Sequence, residues 1–537
     1  MKAKKLSKPT NEKAGVQLIP TGISGVDELL YGGIAYGNMV LIHGPPGSGK
    51  TTFGLQFIYE GASKLNENGL IISFESDPEK LLRDSMSFGW NFRKLEKEKK
   101  VRIIYTTPAI LLQELNSGEG ILQEEIKNIN AKRVLIDGLT PLKLYSELIN
   151  GRPFRDGLQL ILDTLKDHKI TAVLTKEVTQ TRDGFTAIGI EHDQYVCDTI
   201  ISLTQVTTNR HVHRYIEITK SRAQPHLLGT HTLRIETGSG IVVYRRAQSQ
   251  IEASPDIKIT KERVSTGIAD LDKIMGGGLY KGSVTLVSGI SGTGKTILSI
   301  HSVAGGIKNK EKVLFVSMDE HPNQVVREAE TIGMDMRTWL NRKDLIFYYE
   351  TPLELDIDVH FHTIRRLVEE HKINRVIIDS LAAYQSGNQA ETNDFLFALA
   401  TYFKSKQVTA ILNFESPELL GVSQISKEPK ASPLVDNIIL LNYVEMSTRL
   451  RRAITVPKSR GSKNSRVTYE FEINEKGVSI LMKESEQEIV PQEPFNSYTG
   501  LLSRSPSRVP YELTDSGEKV TKKAPRKKAR ASRPTRK

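Results

Sequence analysis

Short apolar runs rich in β-branched residues recur along the chain, among them Met39-Val40-Leu41-Ile42, Leu70-Ile71-Ile72-Ser73-Phe74, Val134-Leu135-Ile136 and Thr171-Ala172-Val173-Leu174. Between them lie stretches with helical spacing, such as Phe53, Leu55, Phe57 and Ile58. Strands that are apolar on both faces and alternate with helices predict a mostly parallel sheet covered by helices, an α/β fold.

The pattern then repeats. Thr21-Gly22-Ile23-Ser24-Gly25-Val26-Asp27 returns as Thr266-Gly267-Ile268-Ala269-Asp270-Leu271-Asp272, and Lys132-Arg133-Val134-Leu135-Ile136-Asp137 as Asn374-Arg375-Val376-Ile377-Ile378-Asp379. Two tandem domains are expected, at 15–246 and 261–485. They would be joined by a polar linker over 247–260 and flanked by a disordered basic start at 1–14 and a disordered basic tail at 486–537.

Composition narrows the function class. A hydrophobic fraction of 38% with 26% charged residues fits a globular chain, and no apolar run reaches the roughly 20 residues of a membrane helix. Without an apolar core after the basic start, a cytoplasmic location is expected. Cys197 stands alone and reads as a buried, inert thiol. Of the formal charge of +11, ten positive charges fall between Lys519 and Lys537 with no acid among them, so the rest of the chain is nearly neutral. Nucleic acid is therefore expected to bind, if at all, through the tail.

Each repeat carries one phosphate-binding loop, G-x-x-x-x-G-K-[ST], directly after an apolar strand: Gly44 to Thr51 and Gly289 to Thr296. Gly44, Gly47, Ser48, Gly49, Lys50 and Thr51, and likewise Gly289, Gly292, Thr293, Gly294, Lys295 and Thr296, would wrap backbone N–H groups around a polyphosphate at a helix N-terminus. Lys50 and Lys295 would reach the outer phosphates. Thr51 with Asp137, and Thr296 with Asp379, are the expected ligands of Mg²⁺, because an Asp ending an apolar strand belongs beside the loop hydroxyl. Glu75 and Asp319, at the tip of the strand after the loop helix, are candidates to orient water, with Glu320 assisting Asp319. Lys220 with Arg222 and Lys458 with Arg460 recur near the repeat ends. Such cations stabilise a transferring phosphoryl group, sometimes from a neighbouring subunit, which would require a ring.

Taken together, the Thr-Gly-Ile openings, paired loops, strand-tip carboxylates, Ser87-Phe88-Gly89-Trp90 and the Lys-x-Arg runs, the second followed by Gly461, resemble the KaiC family, the double-domain RecA-type ATPases of the circadian clock. The resemblance spans about residues 15 to 485. It implies two stacked rings in a homo-hexamer and ATP rather than GTP between subunits, with Lys220, Arg222, Lys458 and Arg460 reaching in from next door. Thr52, Ser87 and His226 would be further nucleotide contacts, and a regulatory protein would be a partner. It also implies a slow ATPase in the first ring and serine/threonine autokinase activity in the second. Here the chain departs from the family. The paired glutamates become Glu75-Ser76 and Asp319-Glu320. The acceptor pair becomes Ser432-Pro433, and the nearby threonine position falls at Ser426-Lys427. Ser432 and Ser426 are the remaining candidate phosphoacceptors.

Two rival classes share these motifs: a RecA-like DNA-dependent ATPase or recombination accessory, and a nucleotide-gated scaffold without turnover. Pro45 and Pro46 stiffen the first loop where the second has Ile290 and Ser291, so the first site is expected to be the steadier hydrolase.

Overall fold

The structure, a computed structural model, describes residues 16–117, 120–149, 153–178, 195–208, 211–250, 260–352, 355–386, 389–415, 434–446, 449–462, 465 and 467–482. Two nine-stranded sheets dominate, one per repeat, with the same strand order. In the first, Met39–Gly44 is central, and Thr171–Glu177 and Thr199–Thr208 lie parallel on either side of it. Arg133–Asp137, Gly69–Ser73 and Val101–Tyr105 continue the parallel half. His211–Ser221, His231–Glu236 and Gly240–Tyr244 close the other edge antiparallel. The second sheet is built likewise around Val284–Gly289. These are tandem RecA-like α/β units.

The alternation within each strand explains the layering. Val40 and Ile42 face one hydrophobic core with Phe53 and Phe57, whereas Met39 and Leu41 face the other with Leu158 and Leu162. Because both faces are covered, the parallel strands contain no polar alternation. Gly54 lets the helix Lys50–Lys64 approach closely: a Cβ there would stand 2.3 Å from Leu135 Cδ1.

Two of the repeated motifs prove to be structural. Thr21 donates its backbone N–H and its hydroxyl to Asp27 Oδ1 at 2.6 and 2.7 Å, and Thr266 does the same to Asp272 Oδ1 at 2.8 and 2.7 Å. Each Thr…Asp pair closes the turn that starts its repeat. Arg133, fully buried, donates to Glu67 Oε2, Phe57 O and Pro20 O at 2.6, 2.9 and 2.7 Å. Arg375 repeats this with Glu311 Oε2, Ser302 O and Ser265 O at 2.7, 2.8 and 2.8 Å. Losing one partner of such a buried pair costs about 3–5 kcal/mol.

The stretch expected as a linker begins with a 3-10 turn, Ala247–Gln250, whose Ala247 is buried in the second repeat's core. Ala247 N–H donates to Asp358 Oδ1 at 3.0 Å. Residues 251–259, the start at 1–14 and the tail at 486–537 lie outside the described residues. Among those described, no helix is long and apolar enough to cross a membrane, and Cys197 is buried.

Candidate functional site

The two loops sit at the C-terminal ends of the central strands, where strand order reverses and open α/β sheets form their crevices. Gly47 and Gly49 have φ of +74° and +103°, and Gly292 and Gly294 +79° and +106°, so L side chains would be strained there. Gly44 and Gly289 each end a strand so tightly that a Cβ would lie 2.5 Å from the carbonyl oxygen of Leu203 or Leu441. Ser48 Oγ is buried with no partner among the described residues, whereas Thr293 Oγ1 donates to Ile290 O at 2.8 Å.

Below each loop a hydroxyl meets a carboxylate. Thr51 Oγ1 donates to Asp137 at 3.0 Å, and Thr296 Oγ1 to Asp379 at 2.8 Å. Burial pushes both carboxyls up from their ordinary range, against the hydroxyl bonds and the nearby lysine. Lys50 Nζ donates to Pro45 O at 2.9 Å, and Lys295 Nζ to Gly289 O and Ile290 O at 2.9 Å each. Burial lowers both ammonium groups, opposed by Glu177, Asp137 and Glu75 in the first repeat and by Glu415, Asp379, Asp319 and Glu320 in the second. Thr52 is half-buried on the first turn of the loop helix.

Glu75 reaches this end of the first sheet. A Cβ on Gly138, the residue after Asp137, would stand 2.7 Å from Glu75 Oε1. Burial raises its carboxyl, with Asp137 and Glu177 adding like charge. In the second repeat Asp319 is exposed and Glu320 half-buried. Burial, then Glu328, Asp379 and Asp319, push Glu320 up to about 7.

The other expected residues lie elsewhere. Lys220 pairs with Ile200, and Arg222 N–H donates to Asp198 O, whose side chain accepts from Met39 N–H at the start of the central strand. Five strand steps separate Met39 from Gly44, about 17 Å. Lys220 Nζ donates to Cys197 O at 2.7 Å and Arg222 to Tyr195 O at 3.1 Å. Lys458 Nζ likewise donates to Val435 O at 2.9 Å, and Arg460 lies 3.6 Å from Asp436, beside Val284. Ser87 follows the helix Pro78–Met86 that runs back from the Glu75 tip, and is exposed. His226 is half-buried between Gln224 and Leu227, which bond to Leu30 O and Leu29 O. Each repeat thus gathers its loop, hydroxyl–carboxylate pair and tip carboxylate at one end of the sheet, with its Lys-x-Arg and, in the first repeat, Ser87 and His226 away from them. Ser426 and Ser432 lie outside the described residues.

Several further residues at the loops belong to no sequence motif. Glu177 and Glu415 stand level with Gly44 and Gly289 on the neighbouring strand. Thr175 Oγ1 donates to Asp137 Oδ1 at 2.8 Å and accepts from Gly138 N–H at 2.8 Å. Arg214 donates to Gly47 O at 3.1 Å, and Tyr443 to Gly292 O at 2.7 Å. The strand-tip rule that singled out Asp137 would have reached Thr175 and Glu177 had it been applied to the next strand. Arg214 and Tyr443, from a distant hairpin, leave no local signal.

The model of the family described as ATPase: KaiC matches residues 19–248 and again 264–485. The circadian clock protein KaiC3 of Synechocystis sp. is 30% identical over 504 residues, covering 92% of this chain and 95% of that protein. The circadian clock oscillator protein KaiC of Synechococcus elongatus is 29% identical over 518 residues, covering 95% and 96%. With both repeats matched and nearly the whole length of these relatives shared, the chain belongs to the KaiC family of ATPases.

Proposed function

We propose that the chain is a two-site, Mg²⁺-dependent switch ATPase whose nucleotides lie between neighbouring copies in a homo-hexameric ring. The observation that carries this is the division of each repeat into two half-sites. The loop with its hydroxyl and carboxylates occupies one end of the sheet, and Lys-x-Arg starts about 17 Å away. A loop at one end of a copy is out of reach of its own repeat's Lys-x-Arg cations, which are held at the other end on backbone carbonyls and on Asp198 or Asp436 and would exchange these for the phosphates of a neighbouring copy. Head-to-tail contact supplies both, and closure of such contacts makes a ring.

The donor set fits magnesium: a threonine hydroxyl and an aspartate in each repeat, oxygen only. Thr51 with Asp137 and Thr296 with Asp379 would hold the ion, which when bound would neutralise the β- and γ-phosphate oxygens. Lys50 and Lys295 would exchange their loop carbonyls for phosphate oxygens. Glu75 would orient the attacking water in the first site. In the second, Asp319 and Glu320 share that task, with Glu320 ionised when it accepts the proton. Lys220, Arg222, Lys458 and Arg460 would meet the charge developing on the transferred group. Ser432 and Ser426 are the proposed acceptors if the second site also transfers phosphate to protein, and mass spectrometry after incubation with ATP and Mg²⁺ tests them.

Mixing two inactive variants tests the ring. Protein carrying Lys50→Ala and Lys295→Ala should not hydrolyse ATP, nor should protein carrying Arg222→Ala and Arg460→Ala. Co-assembled in equal amounts, about a quarter of interfaces would join an intact loop to intact cations and restore turnover. No recovery in verified mixed assemblies would overturn the shared site.

A further inference from the structure

We propose that His360 is a positioning residue for the second nucleotide site, holding the turn after Asp379 in place through Tyr384. His360 lies fully buried on the helix Ile357–His371. Its Nδ1 is 2.5 Å from Glu350 Oε2 and its Nε2 2.8 Å from the Tyr384 hydroxyl. Tyr348 donates its hydroxyl to the same Glu350 oxygen. Glu350 follows the strand Leu345–Tyr349 at the sheet edge. Tyr384 sits in the 3-10 turn Leu381–Ser386, which begins two residues after Asp379, and its carbonyl accepts from Thr392 Oγ1 at 2.8 Å. One imidazole therefore ties edge strand, helix and nucleotide-site turn together.

The chemistry makes the tie robust. Burial raises the Glu350 carboxyl, but hydrogen bonds from His360 and Tyr348 outweigh it and hold the group below its usual range. An ionised Glu350 takes the Nδ1–H. Tyr384, kept as a phenol by complete burial, can donate to a bare Nε2 or accept from a protonated one, so its bond survives either state of the ring. Arg234, on the first repeat's strand His231–Glu236, adds its positive field to Glu350 and Tyr348. The first repeat has no such tie: Thr106 stands at the place of Glu350 and Leu142, in the core, at that of Tyr384.

The proposal rests on the second site turning over ATP. The test uses the full chain with Lys50→Ala, so that turnover reports that site. Tyr384→Phe and His360→Asn, which reaches only the Nδ1 position, should each lower kcat about three- to tenfold, the rate equivalent of one net buried hydrogen bond. KM for ATP should move less than about twofold. His360→Gln reaches the Nε2 position and should recover most of the rate. In a Lys295→Ala background the same changes should leave the first site untouched. Backbone exchange at 381–386 should quicken in Tyr384→Phe without nucleotide. Unchanged kcat, equal loss at both sites, or unchanged exchange would each overturn the role of His360. If the Lys50→Ala parent itself fails to turn over, second-site hydrolysis is wrong, and the exchange result alone decides on His360. Should His360→Asn not fold, Tyr384→Phe, which removes a single oxygen, carries the test.

Discussion

Arg133 and Arg375 occupy matching places in the two repeats and hold the same three kinds of partner, whereas Thr175 and Asn413, equally matched, do different things. Thr175 binds Asp137 and the next backbone N–H. Asn413 bonds to Asp379 and donates to Ser299 at 2.9 Å, and Ser299 stands where the first repeat has Gly54. The buried arginines and the Thr…Asp turns preserve the scaffold. Ser76 against Glu320, Leu142 against Tyr384 and Ser48 against Thr293 vary around the loops. Duplication kept what folds the repeat and let the carboxylate environment drift, so the sites should differ in rate, in pH response and in tolerance to mutation.

The loop lysines break the comparison most severely. Lys50→Ala and Lys295→Ala together should reduce ATP hydrolysis about 10²-fold or more, as removal of a preorganised charge at a transferring group does. Singly, Lys50→Ala should remove the larger share, because Pro45 and Pro46 stiffen that loop. Steady-state phosphate release measures this, and a larger loss from Lys295→Ala would reverse the expected ranking.

Exchange of the tip carboxylates comes next. Glu75→Gln should silence the first site by about 10²-fold, since Ser76 stands where the second repeat has Glu320 and Asp77 is taken up in capping the next helix. Asp319→Asn should cost less, with Glu320 beside it, and only Asp319→Asn with Glu320→Gln should match the Glu75→Gln loss. Single-turnover hydrolysis in the matching lysine backgrounds reads each site alone. If Asp319→Asn already silences the second site, Glu320 plays no part.

Glu320 also separates the sites by pH. Its carboxyl titrates near 7 when folded, above the ordinary carboxylate range, so the folded state binds the extra proton. Its favourable contribution to stability is present below the unfolded pKa and fades as pH rises through about 7. Activity runs the other way, because only ionised Glu320 accepts a proton. Second-site turnover should therefore climb by about tenfold in all between about pH 6 and 8, most of it below pH 7, and Glu320→Gln should flatten that limb. A limb that persists in Glu320→Gln assigns it to another group.

Much of this was legible from spacing. The loops, the aspartates ending the strands at Asp137 and Asp379, and the repeat itself depend on residues close in sequence or on a period held within a few positions. The mostly parallel, helix-covered sheets follow from strands apolar on both faces, whereas their strand order does not. What spacing could not convey was distance across the fold. Nothing local shows that Lys220 and Arg222 stand at the far end from Lys50, because they follow it by 220 − 50 = 170 residues on a strand that runs antiparallel. Nor does sequence show that Thr21…Asp27, so prominent as a motif, only closes a turn. His360 was hidden for the same reason, since its partners Glu350 and Tyr384 lie on separate elements.

The smallest effect tests the drift around the carboxylates directly. Thr175→Val keeps the shape of the strand but takes a donor from Asp137 and the acceptor from Gly138 N–H, both buried. Leaving one such group unpaired costs about 1–3 kcal/mol. Without the hydroxyl, burial would raise the Asp137 carboxyl further, weakening its hold on a cation while leaving Lys50 in place. First-site turnover should fall, but less than in Lys50→Ala, and it should recover partly at higher Mg²⁺. Two tandem units need not unfold together, so backbone exchange of Arg133–Asp137 against Arg375–Asp379 is the measure. The first strand should lose protection and the second keep it, because Asp379 draws on Asn413 and Thr296 instead. Equal loss in both would mean that the repeats share one cooperative core and that the difference between Thr175 and Asn413 has no local consequence.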